Sequence, residues 1–318
     1  MNQITPQHVK ESLQRLAGIA NRTPVMTSRT LNKQAACRVF LKCENFQRVG
    51  AFKFRGAYNA ISQLDAPRRE AGVITHSSGN HAQGVALAAR LLHVRAVVVM
   101  PRDAPEIKRQ ATAGYGAEIV PCAAEEREEV TQELISRHGY TLIHPYDNDH
   151  IIAGQGSAAW ELFEEVGPLD LLLVPVGGGG LISGSALAAS ALAPDCRVVG
   201  VEPQNADDAR RSWREGRVFT WDQAPNTLAD GLRTRYVGER NLRVMRRHVH
   251  DMITVTEEQI VDALRFALER LKIVVEPSAA VALAPLLAGH YAGENLRAGV
   301  LLSGGNTELF NLRLPQND

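Results

Sequence analysis

Four consecutive glycines at positions 177–180 separate a short apolar run, 171–176, from a helical pattern rich in small residues, 181–192. A strand that ends in glycines and opens a helix directs several backbone N–H groups to one point, where the positive end of the helix dipole adds to their charge. Glycine suits this position because a side chain would keep an anion away from the backbone. The segment therefore predicts a binding site for a phosphorylated ligand.

Short runs rich in β-branched residues alternate with longer helical patterns along the chain. The runs lie at 72–76, 95–100, 117–121, 171–176, 197–202 and 297–303, and helical patterns lie at 80–92, 106–114 and 125–139. This alternation predicts an α/β fold with mostly parallel sheets covered by helices on both faces.

A later helix is indicated by its start signal. Thr256 and Gln259 form a capping-box pattern, which places the beginning of a helix at this point. An apolar face is predicted behind it at Ile260, Leu264, Leu268 and Leu271.

Composition limits the classes of partner. The 318 residues carry a formal net charge of zero, which gives no electrostatic reason to expect nucleic acid or an anionic membrane as partner. The N-terminal segment is polar, without the apolar core of a signal peptide. Four scattered cysteines, Cys37, Cys43, Cys122 and Cys196, are typical of buried, reduced thiols. We expect a cytoplasmic protein of about two domains that acts on a small molecule.

The glycine segment does not fit the common nucleotide motifs. A P-loop requires Gly-Lys-Ser/Thr, whereas Leu181 and Ile182 follow the glycines here. A dinucleotide fingerprint read from Gly178 fails at Ser183, although Glu202 follows about 20 residues later, where a ribose-binding acid would lie. A nucleotide-binding oxidoreductase therefore stays open as an alternative.

A second segment points to a carbonyl cofactor. Lys53 stands between Phe52 and Phe54, and apolar neighbours lower the pKa of an ammonium group. A lysine of lowered pKa is a better amine for an imine with a carbonyl compound. The alternative is an ordinary lysine whose stem covers apolar surface while its amine reaches water.

A third segment, 75–84, ends a predicted strand and opens a helix. Its hydroxyls, its amide and its free N–H groups suit a carboxylate. Ser77 and Asn80 could instead be simple helix caps. The last apolar strand likewise ends in a polar turn, which runs from Ser303 to Asn306.

Together these segments resemble the pyridoxal-phosphate enzymes of fold type II, the tryptophan-synthase-β-like class. The similarity covers about 21–306 and is carried by AFKFRG, SSGNHAQG, HPYDN…IAGQG, VPVGGGG, VEPQNADD and SGGN. The chain is most similar to the subgroup of serine racemase, threonine dehydratase and threo-3-hydroxyaspartate dehydratase.

The resemblance implies pyridoxal 5′-phosphate as cofactor and assigns its contacts. Lys53 would be the Schiff-base lysine and Ser303 would meet the pyridine nitrogen. The remaining cofactor contacts would be Phe52 beside the ring, Asn80 at the 3-hydroxyl, and Gly177, Gly178, Gly179, Gly180 and Leu181 around the phosphate. A serine hydroxyl cannot hold a pyridinium as a carboxylate would, which favours prompt loss of a β-leaving group.

The resemblance also implies the reaction. Lys53 would remove the Cα proton of a 3-hydroxy-L-amino acid, which would lose its hydroxyl and yield a 2-keto acid and ammonia. Ser78 would face Lys53 across the Cα carbon and could add racemase activity. The substrate pocket would be formed by Ser77, Ser78, Asn80, His81, Arg127 and Thr234.

Arg127 bears on the choice of substrate. A guanidinium that points inward could pair with a second carboxylate, which favours L-threo-3-hydroxyaspartate, with oxaloacetate as product. Arg233 and Arg235 are further candidates. The alternatives are a serine or threonine dehydratase, a serine racemase, and an Arg127 that merely pairs with glutamates on an exposed helix face.

Three further expectations come from the resemblance. Glu202, Ala206 and Asp208 match a site for Mg²⁺, Mn²⁺ or Ca²⁺, with a solvated acidic loop as the alternative. A large cofactor-binding domain would comprise 1–50 and 148–318, and a small mobile domain, 51–147, would close over the substrate. We expect a homodimer, without the C-terminal regulatory domain of biosynthetic threonine deaminases.

Overall fold

The computed structural model describes residues 4–102, 104, 106–293 and 295–307. Within this part of the chain the strands are β1 Val25–Met26, β2 Arg38–Cys43, β3 Val73–His76, β4 Ala96–Pro101, β5 Glu118–Cys122, β6 Thr141–Leu142, β7 Leu171–Pro175, β8 Arg197–Pro203, β9 Asp251–Val255 and β10 Arg297–Leu302. The helices are α1 Pro6–Leu16, α2 Arg29–Ala35, α3 Lys53–Ile61, α4 Ala66–Ala71, α5 Asn80–Leu91, α6 Glu106–Gly114, α7 Arg127–His138, α8 Asp149–Val166, α9 Gly180–Leu192, α10 Asp208–Glu215, α11 Glu239–His248, α12 Glu257–Phe266, α13 Pro277–Ala280 and α14 Ala284–Leu287.

The strands form two sheets. One has six strands in the order β1-β2-β10-β7-β8-β9, and the other has four in the order β5-β4-β3-β6. All pairs are parallel except β1 with β2, which is antiparallel. The α/β fold and the six predicted strands are confirmed. Strands β1, β2, β6 and β9 were not predicted.

The chain joins the two sheets beside the end of β10. The backbone N–H of Phe52 donates to the carbonyl oxygen of Ser303 at 3.0 Å, and Ala51 forms an isolated antiparallel bridge with Gly304. Helix α3, which starts at Lys53, therefore begins where the strand β10 of the six-stranded sheet ends. Because ligands of parallel sheets bind at the carboxyl ends of the strands, this position suits a site residue.

Helix α8 packs between α3 and α9 through two glycines of the IAGQG motif. A Cβ atom on Gly154 would lie 2.7 Å from the Cα of Gly56 in α3, and one on Gly156 would lie 2.5 Å from the carbonyl oxygen of Gly184 in α9. No side chain fits either contact. The motif thus sets the distance between the helix that carries Lys53 and the helix that opens at the glycine segment.

A buried ionic network fixes α3 from its other face. Arg55 bonds to Glu44 through Nε at 2.7 Å and to Glu161 through Nη1 at 2.8 Å, and Lys42 bonds to Glu161 at 2.7 Å. The Arg55, Lys42 and Glu44 side chains are fully buried. Two positive and two negative charges balance, so β2, α3 and α8 are joined without an unpaired buried charge.

Helix α12 begins as predicted but ends differently. Gln259 N donates to Thr256 Oγ1 at 3.3 Å, and Thr256 N donates to Gln259 Oε1 at 2.9 Å, which completes the capping box. The α-helix ends at Phe266, and a π-helical turn follows over Ala267–Leu271. The wider turn leaves Leu268 44% exposed, so its predicted place on the apolar face is wrong.

The four cysteine side chains are free and buried. Within the described ranges, no helix combines the length and the apolarity that a membrane crossing requires.

Candidate active site

A cavity of about 290 Å³ lies where the segments after β3, β7 and β10 come together. Every residue predicted to bind cofactor or substrate lines it: Phe52, Lys53, Ser77, Ser78, Asn80, His81, Arg127, Gly177, Gly178, Gly179, Gly180, Leu181, Thr234 and Ser303. Arg233 and Arg235 also line it. The structure thus collects side chains from both sheets around one space, as the carboxyl ends of parallel strands do in other α/β folds.

Lys53 extends into this cavity from the first turn of α3. Its Nζ donates to the carbonyl oxygen of Pro145 at 2.8 Å and lies 5.1 Å from the centre of the Phe52 ring. Burial lowers the pKa of the Lys53 ammonium to about 8, and the Glu276 carboxylate opposes part of this shift. Since the amine bonds within the cavity, the alternative of a lysine that reaches into water is wrong. Phe54, by contrast, is buried in the core beside the four-stranded sheet.

The glycine segment leaves its amides free for a ligand. Gly179 has φ +93° and precedes α9, whose first residue is Gly180. The carbonyl oxygen of Gly178 accepts from Asn241 Nδ2 at 2.7 Å, whereas the N–H groups of Gly177, Gly178 and Gly179 have no protein acceptor among the described residues. A Cβ on Gly178 would lie 2.2 Å from the ring of Tyr146. The loop fits a phosphate at the start of a helix.

Asn80 is the first residue of α5 and does not cap it. The N-cap is Gly79, without a side-chain bond. Asn80 Nδ2 donates to both carboxylate oxygens of Glu276 at 2.9 Å, and its Oδ1 accepts from Asn306 Nδ2 at 2.8 Å. The alternative of a simple cap is therefore wrong for Asn80. Ser77 Oγ does accept a local bond, at 3.3 Å from Gly79 N.

Glu276 was not among the predicted site residues. Its side chain is buried, and the residue lines the cavity. Burial raises the pKa of the Glu276 carboxyl to about 7, while the hydrogen bond from Asn80 favours the ionised form. The available signal was a single acid between Val275 and Pro277 in an otherwise apolar segment, since such a residue is rarely buried without a partner.

His81 and Thr234, both predicted to contact the substrate, differ in the hydrogen-bonding groups that they leave available to a ligand. His81 Nε2 bonds to the carbonyl oxygen of Ile143 at 2.9 Å, and burial holds the pKa of His81 well below its ordinary value. Its imidazole is therefore neutral and bonded through Nε2, whereas Nδ1 is buried without a partner among the described residues. The backbone N–H of His81 is a further group that could meet an anion. Thr234 Oγ1 is buried without a hydrogen-bond partner among the described residues, so this hydroxyl is available to a ligand.

Three arginines of the cavity bond to neutral carbonyls rather than to carboxylates. Arg127 Nε donates to Ala124 O at 2.7 Å, Arg233 Nε to Thr227 O at 2.8 Å and Arg235 Nε to Trp221 O at 2.9 Å. Arg127 is half-buried, and Arg233 and Arg235 are exposed, which places them towards the mouth. Among the described residues none of the three is paired with a carboxylate, so the glutamate pairing of Arg127 is not observed there.

Two other contacts of the cavity were not predicted. Lys108 Nζ bonds to Asp230 at 2.6 Å and thereby joins α6 to the turn Asp230–Leu232. The ring of Tyr146 meets that of His144 edge to face, with centroids 4.7 Å apart. The Lys108–Asp230 pair could not be read from the sequence, because residues 122 positions apart have no local pattern in common.

The residues predicted to bind a metal lie outside this cavity, between β8 and α10. Glu202 accepts from Ala209 N at 3.0 Å and from Arg210 N at 2.7 Å. Both carboxylate oxygens of Asp208 are buried and have no partner among the described residues. Burial, together with nearby negative charge, raises the pKa of both carboxyls. Unpartnered, buried carboxylate oxygens fit a hard divalent cation.

Among the described residues, no third side chain joins Glu202 and Asp208 as a candidate metal ligand. No group of three His, Cys, Asp or Glu side chains with metal-binding geometry occurs in the part of the chain that the structure describes. The predicted third ligand is the carbonyl oxygen of Ala206, a buried residue, and water would supply the rest.

Comparison with known proteins agrees with this geometry. Residues 16–304 match the family described as pyridoxal-phosphate dependent enzyme. The chain is 48% identical to serine racemase of Schizosaccharomyces pombe over 96% of this chain and 95% of that protein. It is also 48% identical to L-threo-3-hydroxyaspartate ammonia-lyase of a Pseudomonas species, over 96% and 97%.

A solved structure extends the likeness to the fold. The crystal structure of serine racemase from Dictyostelium discoideum superposes with a TM-score of 0.91 at 42% identity, and covers 96% of this chain and 99% of that one. The residues that match the family span both sheets and every cavity-lining residue except Asn306. The chain therefore belongs to the pyridoxal-phosphate-dependent enzymes of fold type II.

Proposed function

We propose that the protein is an ammonia-lyase that converts L-threo-3-hydroxyaspartate to oxaloacetate and ammonia. The observation that carries this proposal is a set of three arginines, Arg127, Arg233 and Arg235, which line the cavity. Their hydrogen bonds among the described residues go to backbone carbonyl oxygens. A substrate with a second carboxylate would satisfy such a guanidinium, whereas the side chain of serine or threonine would not. Relatives with this named activity support the choice.

Family membership selects pyridoxal phosphate over a nucleotide as the ligand of the glycine segment. When bound, this cofactor supplies an electron sink for the negative charge that develops at the substrate Cα. Lys53 would hold it covalently, the amides of 177–180 with Leu181 would bind its phosphate, and Phe52, Asn80 and Ser303 would contact its ring. The free amides and the amine of Lys53 support this fit.

The chain's own groups would then perform the proton transfers. Lys53, with a pKa near 8, is suited to accept the Cα proton near neutral pH. Ser77 and the backbone N–H groups of Asn80 and His81 would bind the α-carboxylate. The Thr234 hydroxyl, which has no partner among the described residues, would add a bond. The 3-hydroxyl leaves as water, water adds back as the amine is released, and the products are a keto acid and ammonia.

Serine racemase activity is the second candidate, and Ser78 supports it. Ser78 lines the cavity together with Lys53, so a hydroxyl and an amine are both available for proton transfer at Cα. Relatives named serine racemase are 48% and 42% identical to this chain. Formation of D-serine from L-serine, lost in Ser78→Ala with ammonia release retained, would establish this side activity.

Three assembly features complete the proposal. A divalent cation, Mg²⁺, Mn²⁺ or Ca²⁺, would bind Glu202, the carbonyl of Ala206 and Asp208, as the unpartnered Asp208 oxygens suggest. Residues 51–147 would move as a small domain over the substrate, with 1–50 and 148–318 as the large one. We further propose that the protein is a homodimer and that it is cytoplasmic. The four free, buried thiols support the second point, because thiols stay reduced in the cytoplasm.

Product analysis tests the proposed function. Purified protein supplied with pyridoxal phosphate and L-threo-3-hydroxyaspartate is expected to release oxaloacetate and ammonia in equal amounts. Oxaloacetate is measured by its reduction with malate dehydrogenase and NADH. The variant Lys53→Ala serves as the blank. Ammonia release from L-serine or L-threonine alone, with no oxaloacetate from hydroxyaspartate, would overturn the proposal.

A further inference from the structure

We infer that Glu276 is a positioning residue that fixes the amide of Asn80 with its N–H group, rather than its oxygen, towards the cofactor. The inference rests on the proposed function, because it concerns the contact between Asn80 and the 3-oxygen of pyridoxal phosphate. Glu276 touches no part of the chemistry itself in this account. It acts through Asn80.

The orientation of the Asn80 amide is set from two sides. Asn306 Nδ2 donates to the carbonyl oxygen of Val49 at 2.7 Å and to Asn80 Oδ1 at 2.8 Å. A backbone carbonyl can only accept, so the Asn306 amide nitrogen faces Val49, and the same nitrogen then requires an oxygen from Asn80. The Asn80 oxygen is thereby assigned to the side of Asn306.

Glu276 completes the assignment on the other side. Asn80 Nδ2 lies 2.9 Å from both carboxylate oxygens of Glu276, and an ionised carboxylate only accepts hydrogen bonds. One N–H of Asn80 is used in this bond, and the second remains for another acceptor. Because the 3-oxygen of the cofactor is such an acceptor when ionised, the network presents a donor to it.

Two glycines make room for this network. A Cβ on Gly304 would lie 2.7 Å from Glu276 Oε1, and one on Gly50, whose φ is +69°, would lie 2.5 Å from Asn306 Oδ1. The backbone holds Glu276 in register as well, since its N–H donates to Gly304 O at 3.0 Å. A side chain at either glycine would displace the carboxylate or the amide, so the network depends on glycine at both positions.

The charge of Glu276 is set by groups from several elements. Asn80 of α5 and Lys108 of α6 favour its ionised form, whereas Asp230 in the turn Asp230–Leu232 disfavours it. Lys53 of α3 is influenced in return. The carboxylate therefore bonds to the amide that would bind the 3-oxygen of the cofactor and also acts electrostatically on the amine of Lys53.

The test compares two ligands that differ only at the contact in question. Apo-protein is titrated with pyridoxal 5′-phosphate and with 3-deoxypyridoxal 5′-phosphate, and binding is followed by the visible or near-ultraviolet absorbance of the ligand. Glu276→Ala is expected to weaken pyridoxal phosphate roughly tenfold, the effect of losing about one well-made hydrogen bond. Binding of the 3-deoxy analogue should change by less than about twofold.

A double-mutant cycle shows whether Glu276 acts through Asn80. If it does, the variant Asn80→Ala/Glu276→Ala binds pyridoxal phosphate no more weakly than Asn80→Ala alone. Glu276→Gln retains an oxygen acceptor and should recover most of the affinity. Gly304→Ala, which displaces the carboxylate without removing it, should reproduce the selective loss and serves if Glu276→Ala fails to fold.

Equal losses for the two ligands would overturn the inference, because they would show a general structural role. Additive losses in the double variant, or unchanged affinity in both Glu276→Ala and Gly304→Ala, would overturn it too. Failure of the wild-type protein to bind pyridoxal phosphate at all would instead remove the proposed function. The two failures are therefore distinguishable.

Discussion

The amine of Lys53 and the carbonyl oxygen of Pro145 are joined by a 2.8 Å hydrogen bond across the cavity. Lys53 opens α3, whereas Pro145 lies in the connection between β6 and α8. The bond holds the amine inside a space where burial has lowered its pKa to about 8. The Lys53 amine is thus carried by α3 and held in place by the connection between β6 and α8.

Replacement of Lys53 is expected to abolish ammonia release while leaving the fold intact. Lys53→Ala removes the group proposed as both the covalent link and the base, so the rate should fall at least about 10³-fold. Far-ultraviolet circular dichroism should not change. Lys10→Ala, at an exposed position in α1, is the matched control and should keep wild-type activity.

The lowered pKa of Lys53 predicts how fast apo-protein takes up the cofactor at different pH. Only the neutral amine attacks a carbonyl, so the rate rises as pH increases and levels off above the pKa, with a midpoint near pH 8. Glu276→Gln should lower this midpoint, because the carboxylate opposes the shift. A rate that still climbs beyond pH 10, as for an ordinary lysine, would contradict the assignment.

The carboxyls of Glu202 and Asp208, at the predicted metal site, predict the direction in which the stability of the protein changes with pH. Their pKa values are raised in the fold, so the folded state binds more protons than the unfolded chain above the ordinary carboxyl range. Stability without metal should therefore fall as pH rises from about 5 to 8. Mg²⁺ should raise Tm at pH 8 and flatten this dependence.

Asp208→Asn provides the control for the metal experiment. It removes one buried charge, so the metal-free variant should lose less stability with rising pH and gain little from Mg²⁺. A wild-type Tm that is indifferent to both EDTA and Mg²⁺ between pH 5 and 8 would count against a cation at Glu202 and Asp208.

The buried ionic network should matter more to stability than any surface pair. Arg55→Met leaves Glu44 and Glu161 with one cation instead of two, and removal of one partner from such a group costs about 3–5 kcal/mol. Arg68→Ala removes an exposed pair with Asp65 and should cost less than about 1 kcal/mol. Urea unfolding of both variants measures the difference, and comparable costs would contradict the structure.

Much of the fold and of the candidate site could be predicted because the signals are patterns of residues close together in the sequence. Apolar β-branched runs identified six strands, and the glycines at 177–180 identified the loop that opens α9, because their effect is on their own backbone. Strand β2 was missed because Lys42 and Arg38 interrupt its apolar pattern. Lys42 is nonetheless buried, since Glu161, 119 residues away, supplies its partner.

The same limit applies within the site. Glu276 meets Asn80 across 196 residues and Lys108 meets Asp230 across 122, so no local pattern reveals either pair. Leu268 was misplaced for a different reason, because a π-turn changes the period on which the prediction depended. The resemblance to a known family pointed to residues that the structure collects around one cavity, but not to the second layer of side chains that contacts them.

Arg127 gives the central claim its most direct measurement, the ratio of kcat/KM for L-threo-3-hydroxyaspartate to that for L-serine. In the wild type this ratio should be at least about 10. In Arg127→Ala it should fall by roughly 10- to 100-fold, the effect of losing one charge-assisted contact. Arg137→Ala, on the same helix but paired with Glu133, should leave it unchanged. A ratio near one in the wild type, or one that Arg127→Ala does not alter, would contradict the proposed dicarboxylate substrate.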